Sequence, residues 1–142
     1  MANGARRRNK PIRIPLGMQR TRRREEVTVS FVKLEIFIPE THLAALQAAL
    51  QEADAGHIGN YDCCLAFSPV TGTWRPLPGT KPFIGEEGQI SCEPELKVEV
   101  TVRVERLDET MEAIRKIHPY EEPVINIIPL WGTSFSWKRD KR

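Results

Sequence analysis

The sequence predicts an α+β fold of the ferredoxin-like split type: strand, helix, strand, strand, helix, strand, with two helices on one face of an antiparallel sheet. Three observations carry this expectation. Val32, Leu34, Ile36 and Ile38 alternate with Lys33 and Glu35, and Leu96, Val98, Val100, Val102 and Val104 alternate with Lys97, Glu99, Thr101, Arg103 and Glu105. Period two is the mark of a strand with one buried face. Each of these runs is followed by apolar residues at helical spacing, and a strand-length apolar run stands near the end of the chain.

The first strand is VTVSFVKLEIFIP, ended by Pro39. ETHLAALQAALQEADAG then reads as a helix, rich in Ala, Leu, Gln and Glu, with Leu43, Leu46, Ala49 and Leu50 on one face and Gly56 placed to stop it. HIGNYDCCLAF reads as a second strand running back, and SPVTGTW as the turn that reverses it. RPLPGTKPFIGEEGQISCE has too many prolines and glycines for a long regular element, so a structured loop or short irregular hairpin is expected between Arg75 and Glu93. ELKVEVTVRVE is the third strand. LDETMEAIRKIH is the second helix, with Asp108 as its N-cap and Met111, Ile114 and Ile117 on the packed side. VINIIPLW closes the sheet. It is apolar on both faces, with Val124, Ile128 and Leu130 on one and Ile125, Ile127 and Trp131 on the other, while Phe31 and Phe37 lie on the outward face of the first strand. A second apolar face implies an oligomer contact.

The 142 residues have room for one domain with tails: a basic arm at 1–26, a folded domain at 27–135 and a short basic tail at 136–142. Residues 1–24 carry nine Lys or Arg and no acid, whereas Val27 to Phe135 holds eight basic and sixteen acidic residues, a net of −8. The arm has no apolar periodicity and is expected to be disordered. It reads as a contact for nucleic acid or an anionic surface, as an organelle-targeting segment, or as a solvated tail; little Ser and no amphipathic face weigh against targeting. No stretch reaches the roughly 18 apolar residues of a membrane span, and no apolar segment follows the basic start. A soluble cytoplasmic protein is expected. Cys63, Cys64 and Cys92 are odd in number, which implies no disulfide framework.

Chemistry concentrates in KIHPYEEPV. His118 precedes Pro119 and Glu122 precedes Pro123, so both are held extended and the segment is a stiff strap into the last strand. Glu121 and Glu122 then point to opposite faces and do not form a carboxylate dyad. If the two junctions from helix to strand are neighbours, His118 and one of these carboxylates meet His57, Asn60, Tyr61 and Asp62. Such a cluster suits a divalent metal such as zinc, or equally a salt-bridged corner that locks a turn. Cys63 and Cys64 lack any C-x-x-C spacing, Trp74 and Tyr61 read as packing residues, and PGTKPFIGEEG lacks the order of a phosphate-binding loop.

Taken in order, GHIGNYDCCLAF, GTWRPLPGTKPFIGEEG and IHPYEEPVINIIPL closely resemble the domain inserted into the family named for NGG-one-interacting factor three, also filed as GTP cyclohydrolase I type 2 homologs. The resemblance spans about Val32 to Trp131, and is closer still to short bacterial proteins made of this domain alone. It implies a fold similar to the CutA and PII signalling proteins, which form trimers. The positions that match the family are Gly59, Asn60, Tyr61 and Asp62; Gly72, Arg75, Pro76, Pro82, Phe83, Ile84 and Gly85; and His118, Pro119, Tyr120, Glu121, Glu122 and Pro123. In the full-length family a dinuclear metal centre lies in the flanking halves. Its histidine and acidic ligands have no counterpart among His42, His57 and His118, so the resemblance leans away from an enzyme. Three functions are carried forward. The favoured one is a small non-catalytic oligomeric regulatory module that binds a divalent metal, a small ligand or a protein partner at the His118–Glu122 corner. The others are a metal-dependent nucleotide hydrolase of cyclohydrolase type, and nucleic-acid binding through the arm.

Overall fold

Every second residue from Val32 to Ile38 is fully enclosed, and the molecule is built outward from that row. The structure is a computed structural model that describes residues 11–15 and 26–137. The chain runs β1 (Ile12–Pro15), β2 (Glu26–Val29), β3 (Phe31–Ile38), α1 (Leu43–Glu52), β4 (Leu65–Trp74), β5 (Ser91–Arg103), α2 (Leu107–Ile117) and β6 (Ile125–Leu130). Single 3₁₀ turns, Glu40–His42 and Val104–Arg106, lead into the two helices.

The main sheet has the order β4-β5-β3-β6 and is antiparallel throughout. Its centre is the ladder from Phe31↔Arg103 to Ile38↔Leu96, which sets the alternating rows of β3 and β5 in register on one face. There Val32, Leu34, Ile36 and Ile38 meet Val98, Val100 and Val102 beneath Leu46 and Leu50 of α1 and Ile114 of α2. Burial of each such side chain contributes about 1.5–3 kcal/mol. The α+β expectation and its strand order are those of the ferredoxin-like split unit.

Four details differ from expectation. The second strand begins at Leu65, not at His57; residues 57–64 form a loop tied by a bridge between Ile58 and Tyr61, with Cys63 at φ 53°. SPVTGTW does not turn but completes β4, paired from Leu65↔Val100 to Trp74↔Ser91. Proline and glycine are tolerated in β4 because it is an edge strand, bonded on one side only. The long partner strand β5 outweighs the local turn composition. At α2 the N-cap is Arg106 and no side chain caps the helix; Asp108 and Glu109 lie in the first turn, where their charge faces the positive end of the helix dipole. Finally, part of the arm expected to lack structure forms β1, which pairs with β2 from Ile12↔Val29 to Pro15↔Glu26. Ile12 packs on the core beside Val29. The remainder of the arm and residues 138–142 of the basic tail at 136–142 lie outside the described residues. Among the described residues no helix is long and apolar enough to cross a membrane.

The face of the sheet away from the helices carries two crossed ion pairs, Lys33 Nζ to Glu99 at 2.9 Å and Lys97 Nζ to Glu35 at 2.8 Å. The hydrogen bond from Lys97 holds the Glu35 carboxyl below its ordinary range, and Glu35 raises Lys97 in turn. Apolar groups flank these charges, including Phe31 in edge contact with Phe135 at 5.0 Å.

Candidate functional site: an aromatic pocket under the 75–90 loop

The site begins where α2 ends. Pro119 pushes His118 out of the helical region, to φ −71° and ψ 128°, and this turns its ring inward against β3. The imidazole is 8 % exposed. Its Nε2–H donates to the Phe37 carbonyl at 2.7 Å, and its Nδ1 accepts the Tyr120 N–H at 3.2 Å. Those two bonds are satisfied together by the neutral Nε2–H tautomer. Burial pushes the His118 pKa down, against the opposing pull of the Phe37 carbonyl and the Glu95 charge. With both nitrogens engaged, His118 does not fit a metal ligand; it clips the strap of residues 118–124 to the sheet. Of the two readings the sequence leaves open at His118, metal ligand or locked corner, this geometry is that of the corner.

From that clip the strap projects Tyr120 into a cluster of rings. Tyr120 lies 5.6 Å from Trp74, at the end of β4, and 6.1 Å from Phe83 in the 75–90 loop, measured between ring centres. Behind it stands Glu95, a carboxylate only 7 % exposed. Burial, reinforced by hydrogen bonding to Glu95 and by the charges of Glu95 and Glu93, raises the Tyr120 pKa far above its ordinary value. The phenol therefore stays protonated and serves as a donor. Glu95 reaches across β4 only because position 72 is glycine: a Cβ there would fall 1.7 Å from Oε1 of Glu95.

The loop is tied down over these rings. Trp74 Nε1–H donates to the Ile84 carbonyl at 3.0 Å, the Lys81 amide donates to Glu121 Oε2 at 2.9 Å, and the Gly88 amide donates to the Pro76 carbonyl at 2.8 Å. Gly85, at φ +119°, allows the chain to pass Ser91 and Trp74, since a Cβ would stand 2.6 Å from Ser91 Oγ and 3.2 Å from Trp74 Nε1. Phe83 is held from the other side by an edge contact with His42 at 5.7 Å. The result is a cavity of about 490 Å³ between the end of β4, the loop, Phe37 of β3 and the strap. That volume is in the range of small-molecule sites.

The expected residues divide between two places. Arg75, Pro82, Phe83, Tyr120, Glu121 and Glu122 line the cavity, with Gly85 behind it and Pro119 and Pro123 stiffening the strap. His57, Asn60, Tyr61 and Asp62 lie at the other end of the sheet. His118 bonds to Phe37, while Gly56 bonds to Thr101 and Asp54 to Arg103, whose partner on β3 is Phe31. Six residues of strand, about 20 Å, separate the two levels. The reason is topological: β3 and β5 are antiparallel, so the helices that follow them run in opposite directions and their exits fall at opposite ends.

At that far end His57 Nδ1 meets Asp54 Oδ1 at 2.7 Å and its Nε2 meets the Gly59 carbonyl at 3.1 Å. Asp54 also binds Arg103 at 2.7 Å, and the His57 hydrogen bond lowers its pKa. This is a locked turn, with Gly59 at φ +57° and its Cβ direction open. Tyr61 is 76 % exposed and so is not a packing residue. Among the described residues no three His, Cys, Asp or Glu converge to hold a metal ion, so the residues present do not fit the divalent metal expected at the corner. Sequence reasoning missed Glu95, Phe37 and Leu77 as parts of the site. The signal for Glu95 was Gly72, since a glycine inside a strand marks a close approach.

No family model matches the chain. Its sequence is similar to the GTP cyclohydrolase 1 type 2 homolog of Halalkalibacterium halodurans, 45 % identical over 103 residues, which cover 72 % of this chain and 28 % of that protein. The Bacillus subtilis protein of the same name is 38 % identical over 101 residues, covering 71 % of this chain and 27 % of that one. The chain thus spans about a quarter of the length of the curated relatives it matches. A Bacillus cereus protein related to NIF3 is similar in structure, with a TM-score of 0.63 and 33 % identity, over 72 % of this chain and 26 % of that one. CutA from Synechococcus elongatus has a TM-score of 0.54 at 22 % identity, over 72 % and 79 % of the two chains. Bacillus subtilis GlnK has 0.51 at 18 % identity, over 71 % and 85 %. At such identities these last two share the fold alone. The chain therefore resembles, in sequence and in structure, one CutA/PII-like portion of the GTP cyclohydrolase 1 type 2 homologs.

Proposed function

We propose that this chain is a small non-catalytic binding module that takes a small organic ligand in the aromatic pocket under the 75–90 loop. The observation that carries the proposal is the cavity itself, about 490 Å³, roofed by a loop that two hydrogen bonds tie to Trp74 and Glu121 and a third closes on itself. Apolar walls with a few convergent polar groups are what a binding site needs. Two groups that would otherwise suggest proton transfer are already occupied. His118 uses both ring nitrogens to clip the strap, and Glu121 holds the loop through the Lys81 amide. Binding is therefore favoured over the nucleotide hydrolysis kept open above.

A specific observation also favours self-assembly. The outward sheet face carries Lys33, Glu35, Lys97 and Glu99 in half-buried pairs between apolar flanks, a composition suited to a second copy and, with a PII-like fold, to a trimer. Regulatory action would follow if ligand in the pocket, which shares Phe37 and Val124 with that face, altered how copies meet.

Native mass spectrometry tests both parts. The expected result is an oligomer that retains or takes up a small organic molecule, with uptake lost in Trp74→Ala and Phe83→Ala. Uptake that is unchanged in both variants would place the ligand elsewhere and overturn the proposal.

A further inference from the structure

We infer that the pocket selects organic cations: a primary or quaternary ammonium group carried on an apolar body. This inference rests on the pocket being a ligand site and adds the chemical class of ligand. Aromatic faces come first. The Tyr120 ring stands 5.6 Å from that of Trp74 and 6.1 Å from that of Phe83, and all three side chains line the cavity. A ring's negative face attracts a cation within about 6 Å of its centre, most strongly for Trp, and more so once the cation has left water.

Charge points the same way. The lining holds three carboxylates, Glu95, Glu121 and Glu122, against one guanidinium, Arg75. Glu121 is committed to the Lys81 amide, which leaves Glu95 and Glu122 to face a ligand. Among the described residues Glu95, 7 % exposed, forms no ion pair, and His118, which its charge reaches, spends both ring nitrogens on Phe37 and Tyr120. A buried carboxylate is costly unless a cation or hydrogen bonds accompany it. Tyr120 is the ring beside it, and a ligand ammonium would supply the charge. The Trp74 indole N–H is already bound to Ile84 and is not available to receive an anion. An anionic ligand would meet two carboxylates and one arginine, and a neutral one would leave Glu95 without a counter-charge.

The test is isothermal titration of the full chain with three probes of similar body: benzyltrimethylammonium, benzyl alcohol and phenylacetate. Benzyltrimethylammonium is expected to bind at least tenfold more tightly than either of the others. In Glu95→Gln that preference should fall about tenfold, and Glu122→Gln, on the exposed strap, gives the same direction without risk to the core. If benzyl alcohol or phenylacetate binds as well as the cation, or if both variants keep full preference, the cation inference fails and the pocket reading survives. If none of the three binds, both fail.

Discussion

His118 shows how a side chain that the sequence leaves open between metal ligand and locked corner is explained by two distances. Its neighbours Glu121 and Glu122 suggested a metal, yet its ring is spent on Phe37 and on the Tyr120 amide. Because burial lowers its pKa from 6.5, the unfolded chain binds the extra proton first as pH falls. The contribution is complete above the ordinary imidazole value of about 6.5 and is lost as pH drops through the folded value. Urea midpoints measured across pH 4–8 should therefore fall on the acid side in the wild type, with that limb flattened in His118→Gln. Replacement by Ala should destabilise at neutral pH by about 1–3 kcal/mol, the cost of leaving the Phe37 carbonyl unpaired. Gly72 offers a second test at this scale. Gly72→Ala places a methyl on the Glu95 carboxylate, and displacement of that group should weaken benzyltrimethylammonium binding while leaving the fold intact, as read by titration and circular dichroism.

Among the elements, β3, β5 and both helices were legible because each has a clear period and a face that is wholly buried or wet. The four enclosed positions of β3 are the four that alternation selects. The second strand was not legible. Its turn-like SPVTG lies within a run of ten positions paired with β5, a long-range fact that no local pattern contains. For the same reason the candidate cluster of His57 with His118 failed, since the relative direction of two helices depends on strand pairing rather than on spacing. The strap itself was legible, because prolines act locally, and so was the presence of a structured loop. Their joint product, the pocket, was not. Glu121→Ala should release the loop without unfolding the domain: hydrogen exchange at the Lys81 amide is expected to accelerate at least tenfold, while exchange in β3 stays unchanged.

Taken as a whole, the molecule is a sheet with helices on one side and a patterned, partly apolar surface on the other. Phe31, Phe135 and Leu130 gather at one end of that surface and Phe37 with Val124 at the other, with the crossed ion pairs between them. Self-association through this face should be weakened by Lys97→Glu, which sets a like charge against Glu35, and sedimentation velocity should show a smaller species for that variant at the same concentration.

The pocket is the feature on which the functional reading turns, and the most direct test of it is amide and indole chemical-shift mapping during a small-molecule fragment screen. Bound fragments are expected to move the Trp74 indole N–H together with the amides of Lys81, Ile84, Tyr120 and Val124. Shifts that centre instead on the far turn around His57, or on the helical face, would contradict it.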